Sequence, residues 1–92
     1  MLEQIRTHAL IDLDIRCEGD IKVDFHHTIE DVGLVIGHSI KEALGDKIGI
    51  KRFSNSYVAF DETCTRTVID LCNRPFFIWN VPTSLERVGN IE

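Results

Sequence analysis

His26 and His27 stand side by side, and Glu30 follows four and three residues on. Imidazole and carboxylate donors without thiolate suit manganese, iron, zinc or nickel rather than an iron–sulfur cluster or cuprous copper. Adjacent side chains diverge by about 100° on a helix and about 180° on a strand. His26 and His27 are therefore poor chelators of one shared ion. They suit two ions, or one ion and one hydrogen-bond partner. His26 and Glu30 lie one helical turn apart and would share a face, and His27 could also meet Glu30. Three ligands do not fill an octahedral shell, so further donors must come from elsewhere. The plain alternative is that both histidines close a strand and hydrogen-bond locally. His8 and His38 have no companion at ligand spacing and read as surface or packing residues.

The elements that must hold these groups follow from periodicity. Met1 to about Ala9 carries Leu2, Ile5 and Ala9 at helical spacing. Residues 10–17 alternate, with Ile11, Leu13, Ile15 and Cys17 on one side, which predicts a half-buried strand. Glu18-Gly19-Asp20 is turn chemistry, and Ile21 to Phe25 reads as a second short strand. Thr28 with Asp31 resembles a capping box and opens a helix to about Leu44. Its apolar stripe is Val32, Val35, Ile36, Ser39, Ile40, Ala43 and Leu44, and Gly45 should stop it in a left-handed conformation. Gly33 and Gly37 inside the helix predict a second backbone packed closely against them. Strands are expected at Tyr57 to Phe60, Thr65 to Cys72 and Phe76 to Val81, the last covered on both faces. Asn73-Arg74-Pro75 is the turn before it, and residues 83–92 are polar with little periodicity. The expected class is α+β, a sheet of about four to five mainly antiparallel strands packed with helices.

Composition bounds the partners. Ninety-two residues allow one domain, 1–92, with a modest core. The apolar share of 43% and the charged share of 27% are ordinary for a globular chain. A net charge of -5 argues against nucleic acid. Lys47, Lys51 and Arg52 would serve one small phosphate group at most. The longest apolar runs are too short to span a membrane. Cys17, Cys64 and Cys72 are odd in number and form no CxxC pair, so the expectation is a reduced, cytoplasmic protein with core cysteines.

The run Asp24-Phe25-His26-His27-Thr28-Ile29-Glu30-Asp31-Val32-Gly33 resembles the first metal-binding motif of the imidazoleglycerol-phosphate dehydratases. The similarity continues through Ile11-Asp12-Leu13-Asp14-Ile15, Glu42 to Lys47 and Gly49 to Phe53. It takes in Asp61-Glu62, Asp70-Leu71, Arg74-Pro75-Phe76 and Glu86-Arg87-Val88-Gly89. The order and spacing of these segments carry the resemblance more than any one of them beyond the first.

That resemblance implies one half of a duplicated dehydratase fold, ribosomal protein S5 domain 2-like, with this chain as the first repeat. It implies a homo-oligomer with two manganese ions at subunit interfaces, other divalent ions being possible. His26, His27 and Glu30 would be manganese ligands, with His26 and Glu30 on one ion and His27 on the other. Arg52 and Arg74 match positions that grip the substrate phosphate, a task suited to a guanidinium fork. Asp61 and Glu62 match a family pair that either orients a ligand or forms a structural turn.

The implied reaction removes water from imidazole glycerol phosphate to give imidazole acetol phosphate, in histidine biosynthesis. Metal binding would make the imidazole ring anionic, and the ring would expel hydroxide through a diazafulvene-like intermediate. The family pattern also places an acid–base glutamate, a further histidine ligand and a second motif outside these 92 residues. The isolated chain is therefore expected to be inactive, and its catalytic acid–base residue is not assigned. The competing expectations are a non-catalytic metal-binding or self-assembling module derived from this fold, and a small interaction domain with incidental histidines.

Overall fold

The structure, a computed structural model, describes residues 1–82. The segment Glu86 to Gly89 of the resemblance lies outside them. The chain divides into two compact units, one built on Met1–His38 and the other on residues from Ser39 onward. Four regular elements occur in the order α1 (Leu2–Ala9), α2 (His26–Leu44), β1 (Phe53–Phe60) and β2 (Thr63–Asp70). The α+β class stands, but the described residues hold two strands, not four or five.

In the first unit, α1 forms where the Leu2, Ile5 and Ala9 spacing places it. Its surface carries links one turn apart: Thr7 Oγ1 donates to the Glu3 carbonyl (3.0 Å), and His8 Nε2 meets Gln4 Oε1 (3.1 Å). Leu10 ends the helix in the left-handed region at φ 54°. Residues 11–25 contain a turn, closed by Val23 N donating to the Asp20 carbonyl (2.8 Å), but neither of the two expected strands. Their alternation is real, and Leu13 and Phe25 are half-buried. A strand nonetheless exists only when a neighbour pairs its N–H and C=O groups. Among the described residues no such neighbour runs beside them.

The start of α2 differs from the expectation in a way that matters for the histidines. The helix begins at His26, before Thr28. Asp24, one residue ahead of the cap position Phe25, ties down the start through its side chain: its Oδ1 accepts the His26 amide at 2.9 Å, and the first helical bond runs from Ile29 N to the Phe25 carbonyl (3.0 Å). Aspartate at this point satisfies an otherwise orphaned donor and sets a negative charge against the positive end of the helix dipole. Thr28 and Asp31 thus lie inside the helix rather than capping it.

Val32, Ile36 and Leu44 of the expected stripe are half-buried, while Val35 and Ile40 are exposed. Gly33 and Gly37 have no close neighbour: a Cβ at either would meet nothing within 4 Å among the described residues. The close backbone packing expected there is not present. Gly45, at φ +53°, ends the helix as its sequence suggests, and Gly45 N and Lys47 N close the last turn on the Glu42 and Leu44 carbonyls.

In the second unit β1 and β2 form an antiparallel hairpin in continuous register from Phe53 opposite Asp70 to Phe60 opposite Thr63. Both strands begin earlier than the sequence pattern indicated, and β2 ends at Asp70 rather than Cys72. Asp61 and Glu62 form the two-residue connection, with Asp61 at φ 49°. Phe76 to Val81 does not form the expected third strand, and it is not covered: Phe76, Phe77, Ile78, Trp79 and Val81 are all exposed. The Phe77 and Trp79 rings lie 6.0 Å apart. No described residue is fully buried. A residue pattern that calls for a core is present, while the surfaces that would complete that core are not among the described residues.

Candidate functional site

The first turn of α2 carries the histidines and separates them. His26 Nε2 lies 3.4 Å from Glu30 Oε2 along the helix, whereas His27 turns the other way. Its Nδ1 lies 3.0 Å from Asp20 Oδ2 in the preceding loop. The two rings sit edge to face with centroids 5.7 Å apart. A carboxylate only accepts, so His27 Nδ1 is the donor in this bond. Asp20 holds the His27 imidazole above its ordinary pKa, chiefly through that hydrogen bond, helped by the charges of Asp24 and Asp31. The same bond draws the Asp20 carboxyl below the usual carboxylate range.

The approach of the Asp20 loop to the helix has a visible cause. A Cβ at Gly19 would collide with the Thr28 hydroxyl, so only glycine lets this loop come so near. Thr28 Oγ1 is enclosed there and has no hydrogen-bond partner among the described residues. An open cleft runs between the Arg16–Asp20 loop and the first turn of the helix, with His27 and Asp31 on its far side.

As metal donors these groups form partial sets. Two donors bound to one first-row ion at about 2.1 Å lie roughly 3.0–3.4 Å apart, for octahedral or tetrahedral angles. The His26–Glu30 separation of 3.4 Å meets that requirement. His27 offers its Nε2 in a different direction. No group of three or more such side chains converges on one point among the described residues. The donors therefore fit a divalent cation as one pair and one single ligand.

The second cluster sits at the open end of the hairpin, opposite its turn. Arg52 grips Asp70 with both arms of its fork, Nε to Oδ1 at 2.6 Å and Nη2 to Oδ2 at 3.1 Å, and its guanidinium also lies 4.7 Å from the Phe53 ring centroid. This pair lowers the Asp70 carboxyl and raises Arg52 further above its ordinary value; Arg74 pulls Asp70 in the same direction. Cys72 Sγ donates to the Arg74 carbonyl (3.6 Å), and Lys47 Nζ donates to Asn73 Oδ1. Arg52 and Arg74 thus both act on Asp70 at the end of β2, and Lys47 reaches Asn73 just beyond it. Such an arrangement can take an anion, provided that Arg52 shares or exchanges its partner.

The sequence pattern had singled out His26, His27, Glu30, Arg52 and Arg74. The structure joins His26 to Glu30 and sets Arg52 and Arg74 about one carboxylate. It does not join His27 to Glu30. Asp20 was read as turn chemistry alone; seven residues from His27 through an irregular loop, no periodicity links the two. Asp61 and Glu62 sit in the hairpin connection.

A histidine–carboxylate pair at a helix start and a set of cationic side chains at a hairpin end stand here in a chain of the α+β class. Comparison with known proteins narrows this. The family model described as Imidazoleglycerol-phosphate dehydratase matches residues 1–92, and the chain belongs to that family. It is 48% identical over 92 residues to an imidazoleglycerol-phosphate dehydratase of Sinorhizobium fredii, covering 100% of this chain and 46% of that protein. The corresponding protein of Marinobacter nauticus is 47% identical over all 92 residues, which make up 47% of it. One from Cereibacter sphaeroides is 45% identical with the same coverage, 100% and 47%. The chain spans about half the length of the curated relatives it matches. No solved structure matches it. No helix among the described residues is long and apolar enough to cross a membrane.

Proposed function

We propose that this chain supplies part of the active site of a manganese-dependent hydro-lyase that dehydrates imidazole glycerol phosphate to imidazole acetol phosphate in histidine biosynthesis. What carries the reading is the identity of 45–48% to proteins named imidazoleglycerol-phosphate dehydratase across the full chain. The paired donors of His26 and Glu30 are consistent with it.

In this reading His26 and Glu30 hold one manganese ion and His27 a second. The ions, when bound, supply Lewis acidity that lowers the pKa of a coordinated imidazole. The chain's own residues bind and orient. Arg52 and Arg74 take the substrate phosphate, with Arg52 passing from Asp70 to a phosphate oxygen of equal or greater charge. Asp24 holds the first helical turn in register beneath the ligands. The partial ligand sets call for donors from other copies in a homo-oligomer, and the setting is cytoplasmic.

Manganese titration of the purified chain, with His27→Ala beside it, tests the metal assignment. A dehydration assay in the presence of manganese tests the chemistry. Expected are saturable binding that His27→Ala weakens, and turnover only where the ligand set is complete. No response to manganese in either protein would defeat the proposal.

A second reading has one observation in its favour. Large apolar side chains such as Phe76, Phe77 and Trp79 stand exposed, and no described residue is fully buried. A non-catalytic, self-assembling metal-binding module would use those surfaces. It predicts manganese binding and association without dehydration under any condition.

A further inference from the structure

A histidine that ligates a cation through one ring nitrogen needs its other nitrogen protonated, and something must hold that proton in place. His27 has such a partner in Asp20, at 3.0 Å from Nδ1. Because the carboxylate has no hydrogen to give, the neutral ring must carry its proton on Nδ1, which leaves the lone pair on Nε2. The loop is built to deliver the carboxylate. Val23 N closes a turn on the Asp20 carbonyl, and Gly19 lets the chain pass against Thr28 where any side chain would collide. Among the described residues the His26 ring has no comparable loop partner; its contact runs along the helix to Glu30.

We propose that Asp20 is the positioning residue for His27, fixing its ring plane and tautomer so that Nε2 faces a divalent cation, and that Gly19 serves to admit Asp20 to that position. The inference rests on the metal-binding reading given above, and it extends the site to a residue that contacts no ion itself. Carboxylates in this role are worth about 10–100-fold in metal affinity.

The test uses the full 92-residue chain with nitrogen-15-labelled histidine, first without metal. At about pH 8.5, above the imidazole range, NMR reports which ring nitrogen of His27 carries the proton. The Nδ1–H form is expected in the unaltered chain. Asp20→Ala should return His27 to a mixed population, and Asp20→Asn, which keeps an acceptor oxygen, should largely restore it. Gly19→Val should imitate Asp20→Ala by displacing the loop, with α2 helicity by circular dichroism as the check on folding. Manganese titration followed by the electron-spin signal of the free ion is the second readout. Asp20→Ala should weaken binding by about 10–100-fold, and adding Gly19→Val should weaken it no further, because both changes break one contact.

An Nε2–H tautomer in the unaltered chain overturns the proposal whatever the metal does. Unchanged manganese affinity in Asp20→Ala, with affinity lost in His27→Ala, overturns it while leaving the metal reading intact. If neither His26→Ala nor His27→Ala alters manganese binding, the metal reading falls and this inference falls with it.

Discussion

Replacing Asp24 should loosen the whole first turn of α2, and with it the metal donors. Its Oδ1 accepts the His26 amide at 2.9 Å, ahead of the first helical bond from Ile29 N to the Phe25 carbonyl. Loss of a side-chain cap costs about 1 kcal/mol, which is a factor of about five in the equilibrium between the closed and frayed turn. Asparagine caps as well as aspartate, while alanine does not. Asp24→Ala should therefore reduce the exchange protection of the Ile29 amide about fivefold, by the same reasoning. Asp24→Asn should leave it nearly unchanged. The same fraying separates His26 from Glu30, so manganese affinity should fall by up to about fivefold in Asp24→Ala alone. Amide exchange by NMR reads the first effect and titration the second. Equal protection in all three proteins would show that the turn is held by something other than this carboxylate, and the account of the helix start would be wrong.

The hairpin carries a pH prediction. Arg52 depresses the Asp70 carboxyl, so the pair's contribution is fully present above the unfolded carboxylate pKa of about 3.9. It is lost as pH falls through the lowered folded value. Strand protection across Phe53–Phe60 should decline in acid, and Asp70→Asn should flatten that decline while weakening the hairpin at neutral pH. High salt should mute the difference, because both side chains are exposed to solvent. Along α2 the glycines should divide. Gly45→Ala, at φ +53°, should cost about 1–2 kcal/mol at the helix end, measured as lost thermal stability of the helical signal. Gly33→Ala meets open space and should raise helicity in the isolated chain, by about 1 kcal/mol of helix propensity. A loss of helicity on Gly33→Ala would mean that another backbone does pack there.

The parts of this fold that were legible in the sequence are those whose hydrogen bonds are local. Both helices close their bonds within four residues, so the spacing of Leu2 and Ile5, and of Val32, Ile36 and Leu44, was enough to find them. Strands were expected at Tyr57 to Phe60 and Thr65 to Cys72, and the structure pairs them across Asp61-Glu62, where the partners are neighbours in sequence. Residues 10–17, 21–25 and 76–81 have the alternation or the apolar density of strands, yet no described residue pairs with their backbone as a strand, and no pattern within a segment supplies a partner. The candidate site divides on the same line. His26 with Glu30 is a helix-period pair and was readable. His27 with Asp20 crosses an irregular loop, and the Arg52–Asp70 pair depends on hairpin register, which the expected first strand, Tyr57 to Phe60, did not reach.

The division of donors at the helix start has a consequence for how metal binding should depend on concentration. In the proposed reading His26 and Glu30 would give one ion two protein donors, and His27 would give another ion one. Such sets bind weakly, since each extra protein ligand replaces a water without a further loss of translational freedom once the site is assembled. If other copies complete the shell, ion binding and association are linked, and each must strengthen the other by the same factor. Manganese should then shift the chain toward larger species in sedimentation, and affinity should rise with chain concentration. Trp79, the single tryptophan and 63% exposed, offers an independent signal if the apolar segment around it is covered on assembly: a blue shift of its emission. His27→Ala should remove the manganese dependence of association but not the association driven by apolar surface. An affinity that stays constant across a hundredfold range of chain concentration, with sedimentation indifferent to manganese, would mean that the shell is completed within one copy or not at all, and the shared-site account would fail.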